Sequence, residues 1–403
     1  VLLGAAGQAW PQDAAGDLET ALHQHRLTLS LVDGALVGRG ADFLLDEGRR
    51  AHFFLIGEEH GVAEVPELAS AIFSALRTHG YEHLFIETSP GVAALLDSVA
   101  RYGEEAIAEL VASHPLAVPF YGWHEDARLL VDAVQSGGDG QVIHGVDYEF
   151  MFSAPMWLAM LVEVAPTPEA AEIATRYLTE ATAAESALLS GGGPRDLFLA
   201  AAEAADFELL RSAFPANGPA LAAIQWMESS AQVWRLWFDG EHYASNRLRT
   251  DLMRSAFVDT YRRLTGERET GPRSVLRFGG NHLYRGRTPV NVFDLGTLTA
   301  MLAEYEGAHA FNVMIVGDRR SDRTAFSPAG SHVQPPTIAG WLAPLYAAAH
   351  PSDWTVFDLR PLRAGLHTGR LQVEQEMERL IWGYDAFLIL SNSRPAGFGP
   401  IGR

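Results

Sequence analysis

Apolar residues fall along this chain in two patterns: short continuous runs, and longer stretches with helical spacing. Their alternation predicts the elements. A stretch over 15–29 predicts a short helix, and 51–56 reads as the first buried strand, its run Phe53-Phe54-Leu55-Ile56 stopping abruptly in Gly57-Glu58-Glu59-His60-Gly61. Over 65–76, Val65, Leu68, Ile72, Phe73 and Leu76 recur at helical spacing, and Gly80 ends the segment. A second buried strand follows over 82–87, so strand, helix and strand make a βαβ unit and point to parallel pairing. Helical segments over 91–102, 104–112 and 123–134 lead to a third strand over 141–146, which ends in Gly145-Val146-Asp147.

From 151 to 263 the pattern changes to long, alanine-rich amphipathic stretches without strand character, broken by Pro166, Pro168, Gly191-Gly192-Gly193-Pro194 and the prolines at 215 and 219. Strands return over 275–278, 311–316, 354–359 and 386–390, and the Gly-, Pro-, Ser- and Asp-rich stretch 318–336 reads as a long loop bordering a pocket. The expected organisation is an N-terminal segment 1–45, the first half of an α/β core over 46–150, a helical insertion or cap over 151–263, and the second half of the core over 264–403. The predicted fold is therefore α/β, with a mostly parallel central sheet flanked by helices and a large helical insertion over the carboxyl ends of the strands. Folds of this kind collect their ligands at those ends.

Composition narrows the chemistry. Fifty acidic against thirty basic residues in 403 give a formal net charge of −20, which repels phosphate backbones and anionic membranes and argues against nucleic acid as a partner. All thirty basic residues are arginine and there is no cysteine, so Schiff-base lysines, phosphate-loop lysines, disulfides and thiolate chemistry are excluded. No run of about twenty apolar residues predicts a membrane span. The opening Val1-Leu2-Leu3-Gly4-Ala5-Ala6-Gly7-Gln8-Ala9 reads as the tail of a trimmed secretory signal, with a periplasmic or secreted location, or as an ordinary terminus of a cytoplasmic protein.

Candidate chemistry gathers where the apolar runs stop. Two carboxylates and an imidazole at the end of a buried strand cost free energy if unpaired, and flanking glycines let the backbone turn and a substrate approach. Glu58, Glu59 and His60 thus read as a base and its acidic partners, or as a charged turn. Glu87 ends the next strand and Asp147 the third. In Gly279-Gly280-Asn281-His282, Asn281 and His282 form a second such strand end. Trp123-His124-Glu125 offers an aromatic wall, an imidazole and a carboxylate at a helix start, although Glu125 equally suits a first-turn helix charge. The stretch Asn246-Arg247-Leu248-Arg249, Arg247 foremost, is a candidate for holding a substrate carboxylate or phosphate, against the plainer reading of an exposed charged face. His60, His282 and Glu87 also suit zinc, manganese or iron. No Gly-x-Ser-x-Gly elbow supports a serine nucleophile, which favours direct attack by water.

The ordered set Gly57-Glu58-Glu59-His60-Gly61, Glu87, Trp123 with Glu125, Gly145 with Asp147, the stretch 246–253, Asn281-His282 and Tyr384-Asp385-Ala386-Phe387 resembles the erythromycin-esterase-like family, within the wider haem-uptake and Tiki/TraB-type group. The resemblance spans roughly 50 to 395. It implies a hydrolase with a parallel-sheet core and a helical portion forming a cleft, with His60 as base for water attack on an ester, lactone or amide, His282 assisting, and Glu58 and Glu87 as acidic partners. The substrate is then a small molecule or short peptide, and no cofactor is required. The Gly57-x-x-His60 spacing is one residue shorter than the esterase form, and the segment 62–76 lacks the arginine that the esterases carry there. The shorter spacing resembles the Tiki and haem-uptake branch, and together the two departures keep open a metal-dependent hydrolase or peptidase with His60, His282 and Glu87 as ligands, and a non-catalytic binder of haem or a metabolite.

Overall fold

The computed structural model describes residues 18–138, 140–321, 333–334 and 339–397. The N-terminal stretch read as a signal tail lies outside these residues, as does most of the loop expected over 318–336. In chain order the strands are β1 (Arg26–Val32), β2 (Ala35–Val37), β3 (Phe53–Glu58), β4 (Tyr81–Ile86), β5 (Ile143–Gly145), β6 (Arg273–Gly279), β7 (Ala310–Gly317), β8 (Arg320–Ser321), β9 (Val333–Gln334), β10 (Trp354–Asp358) and β11 (Ala386–Leu390). Nine of them form one sheet in the order β2-β1-β10-β11-β7-β3-β6-β4-β5, while β8 and β9 pair separately. From β11 to β5 every neighbouring pair is parallel. The edge formed by β2, β1 and β10 is antiparallel.

That edge corrects the helix expected over 15–29. Helix α1 covers only Leu18–Gln24, and β1 begins at Arg26. Leu27, Leu29 and Leu31 alternate with polar residues, which is a strand period rather than a helical one. Asp33 and Gly34, with φ of 50° and 77°, then turn the chain into β2. Two consecutive left-handed residues in a two-residue Asp-Gly loop make the hairpin turn that matches strand twist.

Helices α2 (Arg39–Arg50), α3 (Glu64–Arg77), α4 (Pro90–Ala100), α5 (Glu104–Ser113) and α6 (His124–Gln135) lie along the first half of the chain. Next come α7 (Ala154–Glu163), α8 (Pro168–Leu189), α9 (Phe198–Ala201), α10 (Ala204–Ala213), α11 (Pro219–Phe238) and α12 (His242–Thr265). The last group is α13 (Leu295–Tyr305), α14 (Ala343–Ala348), α15 (Leu362–His367) and α16 (Gln375–Gly383). Strand β3 is buried at all six positions because helices cover both faces of the sheet. Its side chains divide by parity. Phe54 and Ile56 join a core with Leu68, Ile72 and Leu76 of α3, whereas Phe53 and Leu55 join a second core with Phe257 of α12 and Phe278.

Between β5 and β6 the described secondary structure is entirely helical, and α7 to α11 enclose a third core around Leu158, Tyr177, Phe207, Ile224 and Trp234. Helix α12 joins that block to the sheet. Its 24 residues span roughly 36 Å at 1.5 Å each. Its first turns contact Asp147, at the carboxyl end of the sheet, while Phe257 and Tyr261 pack on Phe53 near the amino end.

Candidate active site

Strand register brings the chemistry together. Glu58, the last residue of β3, lies opposite Gly279 of β6, and Ile86 of β4 lies opposite Arg277, so Glu87 and Gly279 reach the same level. Two glycines make room there. A Cβ on Gly57 would collide with the Tyr384 hydroxyl, which donates to the Gly280 carbonyl at 2.5 Å. A Cβ on Gly279 would lie 2.9 Å from His60 Nε2 and 3.2 Å from Glu87 Oε2.

His60 is fixed on three sides. Its Nδ1 is 2.8 Å from Glu58 Oε1, its Nε2 is 3.5 Å from Glu87 Oε2, and Phe120 stacks on its ring with centroids 3.9 Å apart and planes 10° apart. Phe120 holds φ at +65°, an uncommon conformation for a bulky residue, and this presents its ring flat against the imidazole. Glu58 is held in turn by Arg277, whose Nε donates to Oε2 at 2.7 Å. The Arg277 guanidinium also faces Asp126 of α6 at 2.6 Å, an ion pair lacking the alignment of a full hydrogen bond.

Glu87 stands between the two histidines. Its Oε1 accepts from Arg249 at 2.8 Å and lies 3.4 Å from His282 Nε2, and its Oε2 accepts from the Gly279 N–H at 2.5 Å. The backbone N–H of Glu87 donates to the Tyr121 hydroxyl at 2.9 Å. His282 Nδ1 contacts Asp294, the N-cap of α13, at 2.7 Å. Arg249 also grips Asp147 through Nε at 3.0 Å and an Nη at 2.5 Å, with its guanidinium 4.9 Å from the Tyr148 ring centre.

The electrostatics follow from this count. Glu58, Glu87, Asp126, Asp147 and Asp294 are five acids, against the two permanent cations Arg249 and Arg277. Burial works against charge on His60, but Glu87 and Glu58 outweigh it and push the imidazole up to about 10. Burial and Arg249 likewise depress His282, while Glu87 and Asp294 bring it up to about 9. Burial would raise Glu87 too, yet the two histidines hold it well below the usual carboxylate range. Asp126 rises to about 6, because burial outweighs Arg277. Both imidazoles are therefore cationic at neutral pH.

The centre opens into a cleft of about 600 Å³ lined by Glu58, Glu59, His60, Glu87, Asn281 and His282, with Trp341 and Leu342 among its apolar walls. Of the residues singled out in the sequence, Asp147 enters through Arg249, and Trp123 lies behind Phe120 with centroids 5.7 Å apart. His124 and Glu125 serve elsewhere. The His124 backbone N–H donates to the Gly397 carbonyl, and the Glu125 carboxylate accepts from the Gly397 N–H at 2.7 Å, tying down the C-terminal segment. The Arg247 side chain is 68% exposed and faces Asp251 at 3.9 Å, outside the cleft lining, and it is Arg249 that reaches the buried carboxylates. Arg277, Asp126, Asp294 and Tyr121 were not singled out in the sequence, and Arg249 entered only as a member of the stretch 246–249.

His60 and His282 turn their Nε2 atoms toward Glu87, as the expected ligand set for a metal ion would. The donor set suits a divalent cation poorly, because Glu87 already engages a guanidinium and a backbone N–H, and Arg249 places positive charge beside it. Among the described residues no group of three or more His, Asp or Glu side chains is disposed to hold a metal ion.

Fold and centre together define a class: an α/β protein with a mostly parallel sheet and a histidine–carboxylate centre at the carboxyl ends of its strands. The backbone matches solved structures of this fold. A variant of the erythromycin esterase EreC in its open conformation superposes with a TM-score of 0.60 at 18% identity, covering 93% of this chain and 99% of that one. A Bacillus cereus protein gives 0.58 at 11% identity, over 96% and 99% of the two chains, and a succinoglycan biosynthesis protein gives 0.57 at 11%, over 98% and 100%. The fold is therefore the one expected from the resemblance. No family profile matches the sequence, and no curated protein sequence matches it. Among the described residues no helix is long and apolar enough to cross a membrane.

Proposed function

We propose that this protein is a hydrolase that attacks an ester, lactone or amide bond of a small molecule or short peptide with water activated at His60. The observation that carries the reading is the pair of imidazoles on either side of Glu87, each fixed through Nδ1 by its own carboxylate and each facing one cleft. With Nδ1–H donated to Glu58, His60 presents Nε2 as the base once that nitrogen has lost its proton, which its pKa of about 10 places at alkaline pH. Water loses a proton to that nitrogen as its oxygen bonds to the carbonyl carbon, and the carbonyl oxygen takes up the negative charge. The tetrahedral intermediate then collapses, and the bond to the leaving group breaks as His282, cationic on Asp294, delivers a proton to the departing oxygen or nitrogen. Glu87, anchored by Arg249 and the Gly279 N–H, keeps the two rings in register. The helices of 151–263 act as a cap over this centre, with α12 supplying Arg249.

A hydrolysis screen on the purified protein tests the reading: His60→Ala retaining the parent rate on every cleaved substrate overturns it. The convergence of both Nε2 atoms on Glu87 favours one second reading, a metal-dependent hydrolase or peptidase with these three residues as ligands. Exhaustive chelation followed by elemental analysis separates the two. The water-attack mechanism requires full activity in metal-free protein.

A further inference from the structure

A second cavity lies on the other side of Arg249. It has a volume of about 750 Å³, within the range of small-ligand pockets, and is walled by Met151, Phe152, Leu188, Val233 and Trp234 of the helical block. Asn246 and Arg249, about one turn apart on α12, supply polar groups to its lining. Arg249 belongs to the walls of both this chamber and the cleft that holds His60 and His282. Its guanidinium lies over the ring of Tyr148, which also lines the chamber, so this cation–ring pair stands where the apolar lining and the acid–base lining meet.

Large apolar side chains in the chamber lining reach solvent. Leu189 is 73% exposed and Trp237 is 44% exposed. A cavity of this size with walls of this kind gains free energy from an apolar occupant, and the shared wall at Arg249 links that occupant to the reacting bond. We infer that the chamber binds the apolar acyl chain of the substrate, while the polar carbonyl group extends past the Arg249–Tyr148 pair to His60. The substrate class is thus an amphipathic ester or amide of a medium-length acyl chain. This inference rests on the hydrolase reading of the neighbouring centre, yet the chamber can be tested without turnover.

The probe is dansyl-undecanoic acid, titrated into the intact chain and followed through dansyl emission and quenching of tryptophan fluorescence. Saturable binding is expected, weakened by about tenfold or more in Trp237→Glu, which places a charge at a partly exposed wall position, and in Val233→Trp, which fills the chamber. In parallel, kcat/KM for 4-nitrophenyl octanoate is expected to exceed that for the acetate by about tenfold or more, and Trp237→Glu is expected to collapse the ratio. Absence of saturable binding to the parent protein, or binding unaffected by both variants, overturns the assignment. If the probe binds and both variants weaken it while no ester or amide is cleaved, the chamber stands as an acyl site and the hydrolase reading falls. If esters are cleaved with no octanoate preference and the probe does not bind, the chamber assignment falls and the hydrolase reading stands.

Discussion

Strand β3 has a histidine near each end, and the two have opposite fates. His52, just before the strand, contacts the Tyr261 hydroxyl at 2.8 Å and Glu306 at 3.3 Å, and is packed against the rings of Phe53 and Tyr261. Burial lowers its pKa, Glu306 only partly opposes this, and Arg273 adds to the lowering. His60, just beyond the strand, has Glu58 on one nitrogen and Glu87 near the other, and is raised to about 10. A histidine near a glutamate is therefore not in itself a reactive centre. Two carboxylates, one per ring nitrogen, and an adjoining cleft distinguish His60 from its counterpart.

The largest effect that tests this contrast is His60→Ala, expected to reduce hydrolysis by about 10²- to 10⁴-fold. His52→Ala is expected to preserve the rate and to cost about 1–3 kcal/mol of stability through the space left beside Phe53 and Tyr261 and the lost contact with the Tyr261 hydroxyl, read by urea unfolding. Equal losses of activity in the two variants would erase the distinction. Arg277→Met leaves Glu58 and Asp126 buried without their shared cation, and is expected to destabilise the fold by about 3–5 kcal/mol in the same unfolding assay. A change below about 1 kcal/mol would show that the pair is dispensable.

The pH dependence sharpens the comparison further. The base must be neutral and the acid cationic, so the rate should rise toward the His60 value of about 10 and fall above the His282 value of about 9, peaking between them. A maximum near neutrality would show that the surrounding carboxylates do not raise the two imidazoles. Glu87→Gln removes the carboxylate that raises both imidazoles, so the whole profile should move toward lower pH, by about one unit or more. An unmoved profile would show that Glu87 does not set the protonation of the pair.

The strand ends were legible because charge set directly after a buried apolar run costs free energy unless the fold pairs it, and the adjoining glycines leave room for that pairing. Glu58, His60, Glu87 and His282 could be picked out on that ground, and the parallel pairing of their strands brought them together. Arg249 was readable in principle. It continues the four-residue stripe Ser245, Met253, Phe257, whose other members are buried, whereas Arg247 falls on the opposite side with Asp251. Arg277 carried a signal too, as a charge inside the run from Ser274 to Phe278, where every position is buried. Asp126 and Asp294 carried none: one looks like an ordinary first-turn helix charge and the other like an ordinary N-cap. Only the fold places them against Arg277 and His282. The antiparallel edge was missed because the alternation of Leu27, Leu29 and Leu31 is short and adjoins a true helix.

The order in which the chain supplies the centre has a consequence for its synthesis. Glu58, His60, Glu87, Asp126 and Asp147 all lie in the first 147 residues, whereas Arg249, Arg277, His282 and Asp294 come more than a hundred residues later. A nascent chain that has emerged only through β5 therefore carries the acids and one imidazole without either arginine or the second histidine. Uncompensated carboxylates repel one another, so the centre closes only after α12 and β6 have docked. On the proposed hydrolase reading, catalytic competence is then a late event that reports completion of the whole sheet, and a prematurely terminated product stays chemically silent.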